Sequence, residues 1–500
     1  MVKGVMARVF RCICIQLFLA ASLLNAQPSS SPELLSARLD ALLDASQFAH
    51  AQWGVKVVAL DSGKTLFERN ADKLMKPASN AKLYTAALAL DRLGPEYRIR
   101  TSFYADAKPG ADGIIHGDLI VYGRGDPTFS ARFNGGDYQK AIQPAVDAIV
   151  GAGIKSVEGG LVGDESYFRG PPYGSDWTWD DLENYYGAPA SALTFQDNVI
   201  DLVFNPGETV GAPCSIVTMP ATTFVTFSNR TETSEAHGRA SIRLYRPLDK
   251  NVAWVWGHVP HGSSGHTDSV PVNEPALWFV TMLKEALAEK GVAVSGGVRK
   301  MDWLDRETAP LDISKLTEVA FVESRPLAEI VKGTLKPSEN LYAQLMLLQV
   351  GAKSGLTGDT QQAGVSELRK FLGGIGIGRD MEELDEGSGL SRSALVTPSA
   401  TVKLLTFMNQ HRSRAAYFDA LPIGGIDGTL RNRFKGTPAQ GNVHAKTGSL
   451  GGVDTLSGFM TNAAGVKLVF SIMLNNYREP DAEHNGRIEI DKVVNAIIRE

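Results

Sequence analysis

The sequence predicts an α/β (α+β) multi-domain protein in which an antiparallel sheet flanked by helices is interrupted by a large, mainly β insertion. Strand-like patterns lie near both ends of the 500-residue chain, with helical patterns beside them. The middle of the chain instead has Gly-punctuated, Thr- and Val-rich runs with few long helical periods. With 43% hydrophobic residues, the chain can form more than one core. We therefore expect one sheet built by both chain ends.

The first 26 residues have the pattern of a secretory signal peptide. Lys3, Arg8 and Arg11 precede an apolar run, Cys12 to Leu24, that is too short to span a bilayer, and small polar residues follow it. We therefore expect an exported protein. Removal of this segment would move the formal net charge from −5 to −8, and a mildly acidic chain does not suggest nucleic-acid binding.

Cys214 would then be the remaining cysteine, so no internal disulfide is expected. Its surroundings, "VGAPCSIVTMP", contain no His that could activate a thiol. The pattern favours a small buried hydrophobic side chain.

The first two strands and a helix after them are expected between residues 52 and 93. Residues 52–72 read as two strands around an Asp-Ser-Gly-Lys turn. A helix is predicted from Ala78 to Leu93, because apolar residues recur there at helical spacing and Gly94-Pro95 ends the pattern.

From about residue 100 the chain changes to Gly-punctuated strand patterns, as in "GIIHGDLIVYGRGDPTF", and one helical stretch, "DYQKAIQPAVDAIVGAG", follows. A Trp- and Tyr-rich loop, "PPYGSDWTWDDLENYYGAP", follows, and strand-like runs continue to about residue 270. We predict a discontinuous catalytic domain formed by residues 27–99 and 289–500, with an inserted region at residues 100–288. The inserted region is expected to contain two small domains. One consists of residues 100–127 together with 186–288, and the other of residues 128–185.

The C-terminal part returns to helices and then to strands. Helical periodicity is found over residues 275–296 and 325–353 and in "VSELRKFLGGIG", and strands are predicted in "NVHAKTGSLGGVDTLSGFM" and "VKLVFSIMLNN". The closing helix, "RIEIDKVVNAIIRE", lacks a strongly basic polar face, so no stable membrane anchor is expected.

Ser79 and Lys82 are separated by one turn of the predicted helix. A serine hydroxyl needs a base within hydrogen-bond reach, and residues three apart on a helix share a face. The Ser-x-x-Lys pattern is weak by itself, because an ordinary helix surface can carry it.

Two further triplets support a catalytic interpretation. "KPSENLYAQ" holds Ser338 and Asn340, and "HAKTGSL" holds Lys446, Thr447 and Gly448. A helix cap and a turn could explain each triplet alone. Their joint occurrence in this order, behind a signal peptide, favours a serine acyltransferase.

The chain resembles the D-alanyl-D-alanine carboxypeptidase/endopeptidase family of low-molecular-mass penicillin-binding proteins. The resemblance lies in the three motifs and in the stretches "GDLIVYGRGDPTF", "GSGLSRSALVTP" and "LPIGGIDGTLRNRF". The 259 residues from Ser79 to Ser338 fit this branch better than a compact β-lactamase. The resemblance implies a serine DD-peptidase/β-lactamase-like antiparallel sheet. Two positions depart from the family pattern: Glu386 replaces the usual Asp, and Gln344 the usual Glu.

The resemblance implies acyl transfer through a serine ester on peptidoglycan stem peptides, with β-lactams as covalent inhibitors and no cofactor. Ser79 would attack the carbonyl between two D-alanines and a neutral Lys82 would take its proton. Ser338 would pass a proton to the departing amine, and the Asn340 amide would bind the substrate backbone. Lys446 would lower the pKa of Lys82.

The strand that carries the Lys-Thr-Gly motif is expected to bind the substrate. Lys446 and Thr447 suit a carboxylate, because a cation and a hydroxyl offer matched donors. The backbone N–H groups of Ser79 and Ser449 are the expected oxyanion hole, next to Gly448. An extended peptide would pair with this strand by edge addition.

Asp181 lies among aromatic residues in "DWTWDDLENYY". The resemblance implies a family site for the free amine of a diamino-acid side chain there, and a carboxylate beside aromatic faces suits an ammonium group. A role at the N-terminus of a helix is the alternative. The three histidines of "WGHVPHGSSGHTD" lack the spacing of a metal site, so no metal is expected.

Three functions remain open from the sequence. The first is a periplasmic serine-type D-Ala-D-Ala carboxypeptidase and endopeptidase. The second is a β-lactamase or esterase of the same fold, which would differ in fast deacylation. The third is a noncatalytic wall-binding or β-lactam-sensing protein, and the five residues Ser79, Lys82, Ser338, Asn340 and Lys446 argue against it.

Overall fold

The computed structural model of the chain describes residues 32–479, 481 and 485–500, so the expected signal segment lies outside the described residues. The helices of the described part are α1 (Pro32–Asp44), α2 (Ala81–Leu93), α3 (Tyr138–Gly151), α4 (Pro275–Glu289), α5 (Trp303–Thr308), α6 (Leu327–Leu335), α7 (Asn340–Lys353), α8 (Thr360–Gly374), α9 (Pro398–Gln410), α10 (Arg414–Asp419) and α11 (Gly486–Ile498). No helix of this part is long and apolar enough to cross a membrane.

The strands of the described part are β1 (Gln52–Ala59), β2 (Thr65–Arg69), β3 (Arg100–Ala105), β4 (Ile114–Ile115), β5 (Leu119–Tyr122), β6 (Ser156–Val157), β7 (Leu161–Asp164), β8 (Val199–Asn205), β9 (Ser215–Met219), β10 (Thr226–Ser234), β11 (Ser241–Tyr245), β12 (Val252–Pro260), β13 (His266–Pro271), β14 (Ala293–Val294), β15 (Val298–Met301), β16 (Thr317–Glu323), β17 (Glu382–Glu383), β18 (Leu395–Val396), β19 (His444–Leu450), β20 (Val453–Thr461) and β21 (Lys467–Asn475).

Strands from both ends of the chain form one five-stranded antiparallel sheet in the order β19-β20-β21-β1-β2. Its central strand β21 is apolar along most of its length because both faces are covered. Phe470 and Ile472 join the core on one face, whereas Val469 and Met473 join the core on the other. The expected sheet is confirmed.

Helices cover the two faces of this sheet. α1 and α11 pack on one face, and α2 and α6 to α9 form the larger core on the other. The predicted helix from 78 to 93 begins as a 3-10 turn, Ala78–Asn80, and continues as α2. It ends at Gly94, whose positive φ of 84° suits a residue without a side chain.

The inserted region extends further along the chain than predicted. Its five-stranded sheet has the order β15-β7-β5-β3-β16, so strands up to Glu323 belong to it. The predicted limit at residue 288 is therefore too early. β15 and β16 pair with strands more than a hundred residues earlier in the chain, and such long-range pairing cannot be predicted from local sequence patterns.

The predicted division of the insertion also differs from the structure. β7 lies within the predicted separate unit 128–185, yet it pairs in parallel with β5. One hydrophobic cluster contains Phe103, Val146, Leu202, Val255 and Phe279 from all parts of the insertion. The insertion therefore forms one core. Cys214 is buried in this core as a free thiol, which confirms the expectation for that residue.

Candidate active site

Ser79 and Lys82 lie together at the start of α2. Ser79 is in the 3-10 turn, directly after Ala78 with its positive φ of 47°, and Lys82 lies in the first turn of the helix. The Lys82 Nζ is 2.8 Å from the Ser79 Oγ. The structure thus places a base within reach of this hydroxyl.

The Lys82 amine is fully buried and has two further partners. Its Nζ donates to Asn340 Oδ1 at 2.5 Å and to the Ser388 carbonyl oxygen at 2.7 Å. Burial lowers the pKa of Lys82 to about 8, although the carboxylates of Glu386 and Glu339 act in the opposite direction. A substantial fraction of the amine is therefore neutral near neutral or mildly basic pH.

Ser338 and Asn340 come from the junction of α6 and α7. Ser338 has a positive φ of 72°, and Asn340 is the first residue of α7. The Asn340 amide is held from both sides, since its Oδ1 accepts from Lys82 and its Nδ2 donates to the Tyr186 carbonyl oxygen at 2.8 Å. A strained turn at a catalytic position is a frequent feature of enzymes.

Lys446 points away from open solvent and towards Ser338. Its Nζ donates to Ser338 Oγ and to the Thr447 carbonyl oxygen, each at 2.7 Å. Burial and the nearby Lys82 cation lower the pKa of Lys446 well below its ordinary value. Lys446 is fully buried, whereas Thr447 and Ser449 line the open cleft.

Gly448 allows β19 to lie directly against Ser79. A Cβ at this position would be 2.3 Å from Thr455 Oγ1, 2.6 Å from the Pro77 carbonyl oxygen and 2.9 Å from the Ser79 backbone nitrogen. β19 is also the edge strand of its sheet. The backbone of this edge therefore borders Ser79, as an oxyanion hole and pairing with an extended ligand would require.

A cleft of about 1440 Å³ surrounds these groups. Ser79, Ser338, Asn340 and Thr447 line it, and basic residues outnumber acidic ones among the described lining residues. The basic side chains are Arg132, Lys332, Lys336, Arg392, Arg431, Arg433, Lys435 and Arg487, and the acidic ones are Asp181, Asp454 and Asp491. In a chain of negative net charge, this surface attracts anionic ligands to the cleft.

Asp181 lines the same cleft and is 3% exposed. Its Oδ2 accepts from the Thr178 backbone N–H at 3.0 Å and from the Thr178 hydroxyl at 2.6 Å, and its Oδ1 is 3.4 Å from the Arg392 guanidinium. It is also the first residue of a short 3-10 helix, Asp181–Glu183. The position is compatible with either of the two roles that the sequence left open.

Comparison with known proteins decides the family. The model of the D-Ala-D-Ala carboxypeptidase 3 (S13) family matches residues 35–497. The chain belongs to this family. The resemblance seen in the motifs is thus confirmed, and the protein is a hydrolase of the serine peptidase class. Membership of the S13 family is consistent with an exported protein.

Individual known proteins are similar to this chain along most of its length. A D-alanyl-D-alanine carboxypeptidase of an Actinomadura species is 32% identical over 484 residues, which cover 92% of this chain and 86% of the relative. The crystal structure of penicillin binding protein 4 of Haemophilus influenzae matches with a TM-score of 0.76 at 25% identity, covering 91% and 97% of the two chains. A predatory peptidoglycan endopeptidase of Bdellovibrio bacteriovorus shares the fold, with a TM-score of 0.50 at 16% identity over 89% of this chain and 92% of that one.

The loop at Gly387 and Ser388 has a role in the site that sequence reasoning missed. Glu386 Oε2 accepts from the Ser388 backbone N–H and hydroxyl, each at 2.7 Å, and Gln344 Oε1 accepts from the Gly387 N–H at 2.9 Å. The two residues that depart from the S13 pattern therefore hold the loop whose carbonyl oxygen binds Lys82. Their position in and beside family motifs was the available signal.

Arg132 is another residue of the site that sequence reasoning missed, and in this case the sequence carries no signal for it. It extends from the insertion and lies 2.9 Å from Asp197 Oδ2 and 3.2 Å from Glu339 Oε2. The Tyr342 hydroxyl also donates to Asp197. Burial and the Asp197 carboxylate raise the pKa of Glu339 to about 7. Because Glu339 lies between Ser338 and Asn340, this network joins the insertion to the turn that carries these two residues.

Proposed function

We propose that the protein is a periplasmic serine-type D-Ala-D-Ala carboxypeptidase and endopeptidase that hydrolyses peptidoglycan stem peptides and cross-links, and that β-lactams acylate it. The observation that carries this proposal is the approach of Lys82 Nζ to Ser79 Oγ, 2.8 Å, with the pKa of the buried amine lowered to about 8. Family membership supports the same chemistry.

In the acylation step, Ser79 Oγ forms a bond to the carbonyl carbon between the two D-alanines. Neutral Lys82 takes the hydroxyl proton. The backbone N–H groups of Ser79 and Ser449 stabilise the developing oxyanion, and the close packing of Gly448 supports this arrangement.

The carbon–nitrogen bond then breaks, and the departing amine needs a proton. Ser338 passes to it the proton that Lys82 took from Ser79, since the Ser338 hydroxyl lies within hydrogen-bond distance of Lys446 and borders the cleft. Water subsequently attacks the Ser79 ester, the carboxylate product leaves and the serine hydroxyl is regenerated. Asn340 lies beside both groups, because its side chain contacts Lys82 and borders the cleft in which the substrate backbone binds.

The free terminal carboxylate of the substrate binds beside Thr447. This hydroxyl lines the cleft, and Lys446 lies buried behind it. The surplus of basic residues on the cleft walls favours stem peptides, which carry carboxylates. Asp181, one of the three acidic residues among the described residues that line the cleft, receives the free ammonium group of a diamino-acid side chain.

The test is incubation of the protein with uncross-linked and cross-linked muropeptides, followed by separation of the products. Loss of terminal D-Ala and cleavage of cross-links are both expected, and Ser79→Ala should show neither. Products without D-Ala loss or cross-link cleavage would overturn the proposal. Release of a penicillin ester faster than any peptide is hydrolysed would instead favour a β-lactamase of the same fold.

A further inference from the structure

The outer face of one small sheet in the insertion carries exposed aromatic rings. In the order β10-β12-β11, the inner side chains such as Val255 and Leu244 pack against the core of the insertion. On the other face, Tyr245, Trp254 and Trp256 are 38%, 41% and 44% exposed. Three large rings on one face of a sheet form a patch that monomeric soluble proteins seldom leave without a function.

Strand register places these rings in rows with polar neighbours. Tyr245 lies opposite Trp254, and their rings stack with centroids 5.4 Å apart and planes inclined by 9°. Trp256 lies between Arg243 on β11 and Arg230 on β10. The rings and the arginines therefore share one face.

Both arginines are available to a ligand. Arg230 and Arg243 are both exposed, and within the described residues neither side chain has a hydrogen-bond or ion-pair partner. Two unpaired guanidinium groups beside an exposed indole offer paired donors for a carboxylate.

The composition of this face favours a polysaccharide over a protein. Its central large apolar groups are aromatic, and its other positions include Ser228, Ser241, Arg230, Arg243, Glu232 and His258. Flat rings stack against the C–H faces of pyranose units, while hydroxyl and guanidinium groups bind the sugar oxygens and carboxylates. A protein interface would usually add aliphatic side chains.

The face is also connected to the catalytic cleft. β11 ends at Tyr245, and the next residue, Arg246, is fully buried and donates to the Leu182 carbonyl oxygen at 3.2 Å. Leu182 follows Asp181, which lines the cleft. The stacked end of the aromatic face is thereby joined to the cleft wall.

We propose that the aromatic face formed by Tyr245, Trp254 and Trp256 with Arg230 and Arg243 is a docking surface for the glycan strand of peptidoglycan. The choice of this polysaccharide rests on the proposed function. A chain of β-linked pyranose units lies across the rings, and its attached stem peptides extend towards the cleft. The arginines bind the carboxylates of those sugars from which the stem peptide has been removed. Binding to the polymer raises the local concentration of stem peptides at Ser79.

The experiment measures binding of the mature protein to glycan strands from which all peptides have been removed. The protein is first acylated with penicillin, so that the cleft cannot contribute. Because two half-exposed rings are lost, Trp254→Ala/Trp256→Ala should weaken binding roughly tenfold to hundredfold. Arg230→Gln/Arg243→Gln should weaken binding to these strands but have little effect on binding to neutral chitin oligosaccharides.

Phe321→Ala is the matched control, because Phe321 is 47% exposed on β16, in another sheet of the insertion. It should bind the glycan as the wild type does. All variants should keep wild-type penicillin acylation and hydrolysis of a short soluble peptide, which separates failure of this proposal from failure of the catalytic one. Wild-type protein that does not bind peptide-free strands, or a folded double Trp variant that binds them equally well, would overturn the proposal. Self-association that depends on Trp254 without glycan binding would also overturn it and assign the face to a second copy of the chain.

Discussion

Substitution of Gly448 by Ala tests the contact between β19 and the nucleophile. The added Cβ would lie 2.6 Å from the Pro77 carbonyl oxygen and 2.9 Å from the Ser79 nitrogen. Both are backbone atoms, which cannot rotate away. Since ordinary contacts begin at 3.4 Å, the strand would have to move by about 0.8 Å relative to Pro77.

Such a movement displaces the backbone N–H of Ser449 from the position where the oxyanion forms. Complete loss of one oxyanion-hole donor reduces kcat by about 10²–10³-fold. A partial displacement should therefore slow acylation by roughly ten- to hundredfold. The overpacking should also destabilise the folded protein by about 1–3 kcal/mol.

The assay is the second-order rate constant for acylation by a fluorescent penicillin, with thermal unfolding measured in parallel. Gly451→Ala is the control, because a Cβ at Gly451 would have open space around it in the adjoining turn. The control should be acylated at the wild-type rate. A folded Gly448→Ala protein that is also acylated at the wild-type rate would refute the assignment of this strand to the oxyanion hole.

Three further predictions concern neighbouring residues of the site. Acylation should accelerate with rising pH through about 8, because the neutral form of Lys82 is the proton acceptor; a rate that falls over this range would contradict that role. Lys446→Ala should slow reactions of free and amidated substrates alike, since the amine contacts Ser338, whereas Thr447→Val should impair the free carboxylate selectively, by about tenfold. If competition kinetics show that both variants change the preference for free over amidated substrates equally, these separate roles of Lys446 and Thr447 are contradicted. Asp181→Ala should weaken turnover of peptides with a free diamino-acid amine, and acetylation of that amine should add little to the loss. Asp180→Ala, which changes an exposed neighbour, should have little effect, and fully additive losses would exclude a shared contact.

The sheet and the three motifs that meet in the cleft could be recognised because their information is local. Alternating or continuous apolar residues identify strands such as β1 and β21, and Ser79 with Lys82 can be recognised from helix spacing. The order of the motifs then indicates the family.

The limits of the insertion could not be predicted, because they depend on which distant strands pair. β16 has an ordinary strand pattern, and its partner β3 lies about two hundred residues earlier. The contact between Lys82 and the Ser388 carbonyl oxygen could not be predicted either. Every residue has a backbone acceptor, and only folding brings this one to Lys82. Arg132 was missed for a related reason: its partner Glu339 is distant in sequence.

Localisation of a covalent penicillin adduct tests the central claim most directly. The protein is incubated with a labelled penicillin, digested, and the modified peptide is sequenced by mass spectrometry. A single acyl group is expected on Ser79. Ser79→Ala should carry no label, and it should unfold at the same temperature as the wild type. Label that persists on the folded variant, or that is attached to another serine such as Ser338 in the wild type, would contradict the assignment of Ser79 as the nucleophile.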